Sequence, residues 1–158
     1  MISDVEFDIV EIEELSGDRA HIYSVLLNGE EQNLFWTFFR EIQATKPIEA
    51  EVLFSQIYSM GHETGCRRGF FKLYEGKPGD GVAAISVGEV RLYCLYFDNT
   101  AIFLGSGGIK PVGVRAYQEL PELNAKVELM EKIAAKINQM IKDKELKVLD
   151  NGELLWNM

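Results

Sequence analysis

The sequence predicts a single α+β domain, in which a helical hairpin packs on a small antiparallel sheet. Three observations predict this class. Of the 158 residues, 47% are hydrophobic and 26% are charged, which is the composition of a globular domain. Two stretches with helical spacing of apolar residues precede a series of short strand-like runs. No linker, repeat or low-complexity tract divides the chain, so residues 1–158 are expected to form one domain.

The first predicted element is an extra N-terminal β-hairpin at residues 5–27. Apolar and acidic residues alternate from position 7 to position 12, which is the two-residue period of a half-buried strand. A Ser-Gly-Asp turn follows, and residues 21–27 again have the composition of a strand. Two strands joined in this way are expected to pair with each other.

Two helices are predicted next, over residues 31–44 and 47–60. The aromatic and aliphatic side chains of the first recur at three- and four-residue intervals, so they share one face. Pro47 suits the first turn of the second helix, where its missing N–H leaves no hydrogen bond unmade. Gly61 is a natural end for that helix, and His62 beside it is expected in an exposed loop.

Four strand-like runs follow, and tight turns separate the last three. The pairs Gly88-Glu89 and Asp98-Asn99 fit short turns, so these three runs are expected to form an antiparallel meander. The glycine-rich residues 105–108 are interpreted as a turn by which the chain leaves the sheet. The four predicted strands are residues 69–74, 82–87, 90–97 and 100–104.

A long C-terminal helix is predicted from Pro121 to about residue 143. Its apolar residues step by four and three positions from Leu123 to Ile141, which makes a heptad-like stripe. A stripe of this length has to be covered, since exposed apolar patches usually mark interfaces. The sequence leaves open whether its own domain covers it or a second copy does, in a homodimer through residues 123–141.

Charge is distributed unevenly along the chain. The net charge of −9 argues against a general nucleic-acid binder. Residues 1–60 carry 12 acidic and 3 basic side chains, whereas residues 61–117 carry 5 acidic and 7 basic ones. A phosphate-binding surface is therefore expected in the middle segment, which contains Arg67, Arg68 and Lys72.

Several kinds of site find no support in the residue spacing. The two histidines and two cysteines are isolated from one another, so neither a metal nor a cofactor is expected. Cys94 lies inside a predicted strand, where a buried thiol is expected. Lys110 follows the glycines too closely for a phosphate loop. Because the chain has no apolar run of about 18 residues and no secretory signal, a cytoplasmic protein without membrane contact is expected.

Arg91 is the charged residue that most needs a partner. The two-residue period of a strand places it on one face with Tyr93, Leu95 and Phe97. A guanidinium among apolar neighbours requires a carboxylate or a bound anion, because an unpaired buried charge is costly. The sequence leaves both alternatives open: a salt bridge to one of the many acidic residues, or a phosphate site suited to the planar arginine fork.

Four segments of the middle third resemble the motifs of one family. They are Phe70-Phe71-Lys72-Leu73, Arg91-Leu92-Tyr93-Cys94-Leu95, Ile102-Phe103-Leu104-Gly105, and the stretch from Gly107 to Gln118. In this pattern the chain resembles the RelE/ParE superfamily of bacterial toxins, and in the last segment a host-inhibition subgroup of it. Those proteins pack two N-terminal helices on a small antiparallel sheet. The resemblance implies a core at about residues 31–120, with the hairpin and the helix at 121–143 as additions.

The resemblance also implies a function. Members of this superfamily that act on the ribosome cleave messenger RNA without a metal, using basic side chains and a tyrosine. By position, Arg91, Arg115 and Tyr117 would be catalytic and Lys110 would bind phosphate. The chain would then be the toxin of a toxin–antitoxin pair, with an antitoxin protein, the ribosome and messenger RNA as partners.

Two other functions remain open at this point. The chain could be a gyrase-inhibiting or other non-enzymatic, protein-binding member of the same fold. It could also be a non-toxic regulatory protein that dimerises through its long helix. Growth arrest on expression separates the toxins from the regulatory protein, and cleaved messenger RNA separates a ribonuclease from a gyrase inhibitor.

Overall fold

The computed structural model describes residues 5–73, 75–77, 79–114 and 120–157. It has seven strands and three long helices in this part of the chain, and a π-helical turn, Met60–Thr64, continues the second helix. The elements are β1 Phe7–Glu11, β2 His21–Leu27, α1 Leu34–Thr45, α2 Pro47–Ser59, β3 Val82–Val87, β4 Val90–Asp98, β5 Ala101–Ile109, α3 Pro121–Lys142, β6 Leu146–Val148 and β7 Leu154–Trp156. The predicted α+β class is confirmed.

The main sheet has the strand order β1-β2-β5-β4-β3. Strands β3, β4 and β5 form the predicted antiparallel meander, and β1 pairs with β2 as the predicted hairpin. The sheet as a whole is mixed, however, because β2 runs parallel to β5, with Ile22 opposite Ile102. A parallel pair needs a long crossover, which the chain between β2 and β5 supplies. The N-terminal hairpin is therefore part of the main sheet.

Helices cover both faces of this sheet. Alternate residues of β4 point to opposite sides: Leu92 and Cys94 pack with α1 and α2, whereas Tyr93 and Leu95 pack with α3. This is the alternation that the two-residue period predicts. Helix α1 begins at Leu34, three residues after the predicted start, because the side chain of Asn33 accepts a hydrogen bond from the Trp36 N–H at 3.0 Å.

Helix α3 buries its apolar stripe against its own sheet. Leu123, Val127, Met130, Ala134 and Ile137 are all buried there, together with strand residues of β4 and β5. This is one of the two arrangements that the sequence left open, and a homodimer through residues 123–141 would have to use the other face of the helix. No helix in the described ranges is both long and apolar enough to cross a membrane.

The predicted strand at residues 69–74 is wrong. A short 3₁₀ turn, Arg68–Phe70, occupies its first half, because the Phe70 and Phe71 N–H groups bond to carbonyls three residues back. Among the described residues 69–73, Lys72 alone pairs with the sheet, where its backbone exchanges two hydrogen bonds with Ala84. Tyr74, the last residue of the predicted strand, lies outside the described residues.

The predicted glycine turn at residues 105–108 is also wrong, because β5 continues through it to Ile109. These glycines allow close approach instead. A Cβ atom on Gly107 would overlap the carbonyl oxygen of Arg91, and one on Gly108 would lie 2.9 Å from Cδ2 of Leu123. The absence of side chains here lets β4 and α3 lie against the strand.

His62 does not lie in an exposed loop. It belongs to the π-helical turn that extends α2, and its half-buried ring stacks on Tyr58 with 4.0 Å between the ring centroids. The helical path ends only at Gly65, whose φ of 76° is accessible to glycine at little cost.

Candidate functional site

The sequence-predicted site residues divide into two groups and a remainder. Arg91 and Lys110 lie at one end of the main sheet, beside the turn between β3 and β4. Arg67 and Arg68 lie near the other end, and Lys72 lies at the sheet edge between them. Arg115 and Tyr117 lie outside the residues that the structure describes.

Arg91 and Lys110 lie at the same end of the sheet, which we call the hairpin end and define by Glu89, Arg91, Lys110 and Val112. Arg91 stands opposite Gly108 in the register of β4 and β5, and Lys110 lies two residues after Gly108, one residue past the end of β5. The Lys110 N–H donates to the Glu89 carbonyl at 2.7 Å, which continues the pairing past the end of the strand.

The Arg91 guanidinium is anchored by backbone carbonyls and by no carboxylate that the structure describes. Its Nη1 donates to the carbonyl oxygens of Gly88 at 2.6 Å and Val90 at 3.0 Å. The half-buried side chain is thus fixed against the turn through one nitrogen. Among the described residues no hydrogen bond uses its Nη2 or Nε. The salt bridge that the sequence left open is not formed there, and the group keeps donors for a ligand.

Glu89 organises the same end, and sequence reasoning missed it. Its carboxylate accepts from the Val112 N–H at 3.0 Å and pairs with the Lys46 ammonium at 3.1 Å. The pKa of Glu89 is lowered below its usual range, mainly by the hydrogen bond from Val112 and secondarily by the contact with Lys46. This residue therefore ties the junction of α1 and α2 to the chain that leaves β5. A glutamate in a tight turn gives no sequence signal for partners so distant.

The second group lies at the far end of β4. The Cys66 N–H donates at 2.7 Å to the carbonyl of Asn99, which lies in the turn after β4, and Arg67 and Arg68 follow directly. Nine strand residues span about 30 Å, so these arginines are far from Arg91. Arg68 lies near Tyr96, in the lining of a shallow depression. The predicted phosphate-binding residues are therefore not one cluster.

A third region, which the sequence did not indicate, lies at the C-terminal end of α3. It is an open pocket of about 530 Å³, which we call the aromatic pocket. Two lysines and two exposed aromatic side chains contribute to its lining, which comes from three separate segments. Its main residues are Phe97, Ile141, Lys144, Lys147, Leu155 and Trp156.

The buried thiols are unsuited to nucleophilic chemistry. Burial, and secondarily the charge of Asp98, raises the pKa of Cys66 to about 12. Burial raises the pKa of Cys94 as well. Because the thiolate is the reactive form, burial disfavours nucleophilic chemistry at both cysteines, and the predicted buried thiol at Cys94 is confirmed. In the described ranges, no three potential ligand residues are grouped to hold a metal ion.

No family model, curated protein or solved structure matches this chain. The fold is a mixed five-stranded sheet covered by helices on both faces, and two of the sequence-predicted cations lie at the hairpin end of it.

Proposed function

We propose that this chain is a toxin of the RelE/ParE type that arrests growth by cutting messenger RNA on translating ribosomes. The observation that supports the proposal is that Arg91 in β4 and Lys110, one residue past the end of β5, lie at the same end of the sheet, on a meander that also supports a helical hairpin. Two cations so placed suit a phosphate group. Such a toxin would act in the cytoplasm and would have a neutralising antitoxin as its partner.

The chemistry asked of Arg91 is electrostatic. Metal-free RNA cleavage by the 2′-hydroxyl develops negative charge at the phosphate, and donors held in place beforehand stabilise it. The two carbonyls that hold Nη1 fix the plane of the guanidinium, so its other donors are oriented before a substrate arrives. Lys110 would bind the same phosphate. Proton transfer would fall to Tyr117, with Arg115 as a second cation, as the family resemblance implies.

Induced expression in a bacterial host tests the proposal. We expect growth arrest and new messenger-RNA 5′ ends, detected by primer extension. Arg91→Ala should lower cleavage about 10²- to 10³-fold, the usual effect of removing one preorganised donor. Lys132→Ala removes an exposed charge elsewhere on α3 and is the matched control. Both proteins should be compared by thermal unfolding, so that loss of activity is not confused with loss of fold.

Proton transfer can be tested separately from charge stabilisation. Tyr117→Phe should lower cleavage about 10²- to 10⁴-fold, since a positioned acid or base contributes on that scale. Arg115→Ala should act in the same direction as Arg91→Ala. If Tyr117→Phe cleaves as fast as the unaltered chain, tyrosine has no part in the reaction and another proton donor is required.

A second candidate is a non-enzymatic inhibitor that binds a protein such as gyrase. The acidic net charge favours it, as does the carboxylate of Glu89 among the cations of the hairpin end. The acidic net charge and the Glu89 carboxylate would each repel the phosphates of RNA more than they would repel a protein surface. Growth arrest with intact messenger RNA, together with inhibition of DNA supercoiling by the purified chain, would select this candidate. Expression without arrest would select a non-toxic binding protein.

A further inference from the structure

The aromatic pocket has the size and lining of a ligand site. Its volume of about 530 Å³ lies in the usual range for small-ligand pockets. Phe97 and Trp156 are 37% and 45% exposed, although side chains of this kind are normally covered in a folded domain. The aliphatic residues Ile141 and Leu155 complete an apolar surface between them. A ligand that covers this surface would gain from removing it from water.

The charges at this pocket select an anion. Lys144 and Lys147 are its charged lining residues, and within the described chain neither ammonium has a hydrogen bond or an ion pair. The groove between α1 and α2 is also apolar, but its lining holds both Arg40 and Glu51 and so has no net sign. In a chain with a net charge of −9, a pocket with two unopposed lysines is a local exception.

Lys144 adopts a backbone conformation that is unfavourable for a residue with a side chain. It is the one non-glycine residue with positive φ (62°) in the described part of the chain, at the position after α3 where glycine is usual. Hydrogen bonds from Lys144 to Ile141 and from Glu145 to Met140 fix this turn. The turn therefore holds Lys144 at the edge of the pocket, in a backbone conformation that glycine would adopt at lower cost.

We propose that the aromatic pocket binds one nucleotide of a single-stranded RNA, by stacking of the base on Trp156 or Phe97. Its phosphate would lie between Lys144 and Lys147. An aromatic platform beside cations is the combination by which proteins hold single strands without reading their sequence. The choice of RNA rests on the proposed function. The pocket lies at the other end of β4 from Arg91, so it would be a second contact with the same substrate.

The test uses the full chain and a fluorescein-labelled oligouridylate 12-mer in fluorescence anisotropy titrations. We expect Lys144→Gly and Lys147→Ala each to weaken binding about 3- to 10-fold at 50 mM salt. Each should also lower the magnitude of the log–log salt slope by about 0.7, the value for one phosphate contact on a single strand. Trp156→Leu should weaken binding about 10-fold or more, through lost stacking. Lys132→Ala is the matched control and should change nothing.

Intrinsic fluorescence locates the contact. The chain has two tryptophans, so Trp36→Phe leaves Trp156 as the single reporter. We expect the oligonucleotide to quench its emission, and adenosine monophosphate to do so only at concentrations at least 100-fold higher. Equal quenching by the mononucleotide would overturn RNA in favour of a free nucleotide. Equal quenching by polyglutamate would overturn it in favour of an acidic protein. Binding that the three pocket variants leave unchanged would overturn the site.

The two proposals fail separately. Growth arrest and cleaved messenger RNA, with an RNA affinity that none of the pocket variants alters, would remove the pocket and leave the toxin. Quenching of Trp156 by the oligonucleotide in a chain that never arrests growth would leave the pocket and remove the toxin. Arg91→Ala should therefore be titrated as well: it should lower the overall affinity for the oligonucleotide, but at saturation the oligonucleotide should still quench Trp156.

Discussion

At the hairpin end the cations are bound to acceptors of the protein, whereas at the aromatic pocket Lys144 and Lys147 have no such partner in the described ranges. Arg91 holds two backbone carbonyls, and Lys46 holds Glu89 at 3.1 Å. At the hairpin end, the bonds of these cations hold separate segments of the chain together. At the aromatic pocket, the two lysines lie at the edge of an apolar surface.

This difference separates cations that also hold the chain in place from cations without a hydrogen bond or ion pair to the described chain. Removing a cation of the first kind leaves polar atoms unsatisfied, so it should lower stability. Removing one of the second kind leaves no polar atom unsatisfied, so the loss of its charge should not lower stability. Stability measurements on matched variants at the two ends can therefore test this distinction without any knowledge of the ligand.

The largest effect is expected from Gly107→Ala, next to Arg91. The added Cβ would overlap the Arg91 carbonyl oxygen and approach the backbone of Leu92, so strand pairing at the hairpin end would have to separate. We expect a loss of about 4 kcal/mol or more in the free energy of unfolding, measured by urea titration. Gly69→Ala, where an added Cβ meets no atom within 4 Å, is the control and should cost less than about 1 kcal/mol. Equal costs would mean that β4 and β5 are not paired as described.

Arg91→Ala and Lys147→Ala compare the two ends directly. The first removes two hydrogen bonds to carbonyls at a half-buried site and should cost about 1–2 kcal/mol. The second removes an exposed side chain without a partner and should stay within about 0.5 kcal/mol of the unaltered chain. Chemical denaturation of both proteins at one pH measures the difference. A larger cost for Lys147→Ala would reverse the distinction between the ends.

Lys144→Gly should stabilise the fold while it weakens RNA binding. Glycine adopts the positive φ at this position without the Cβ clash, so we expect a gain of about 0.5–1 kcal/mol in unfolding free energy. Lys142→Gly, two residues earlier and inside α3, should instead cost up to about 1 kcal/mol. In thermal unfolding, the two variants should change the unfolding free energy in opposite directions if the turn after α3 is as described. Changes in the same direction would contradict that turn.

The smallest effect concerns the pH dependence of the hairpin end. Because the pKa of Glu89 is lower in the folded chain than in the unfolded chain, its contribution is present above the unfolded value of about 4.3. That contribution is lost as pH falls through the folded pKa. Glu89→Gln should therefore be less stable than the unaltered chain at pH 7, and the difference should shrink below about pH 4. Glu14→Gln, which replaces an exposed carboxylate, is the matched control.

The sequence predicted most of the helices and strands, because burial of one face imposes a regular spacing on the apolar residues of each element. α1, α2 and α3 begin and end within about three residues of the predicted positions, and β3 and β4 follow the predicted strands closely. The apolar stripe of α3 and the alternation along β4 were equally local signals. They depend on neighbours a few residues apart, which the sequence displays directly.

What the tertiary structure decided are contacts between distant segments. The parallel pairing of β2 with β5, and the passage of β5 through four residues that read as a turn, depend on what packs against them. The candidate sites are of the same kind: Glu89 meets Lys46 across more than forty residues, and the aromatic pocket joins Phe97 to Trp156. A local period states which face of an element is buried. It does not state which other element buries that face. The packing of distant elements against one another determined the residues that meet at the hairpin end and at the aromatic pocket.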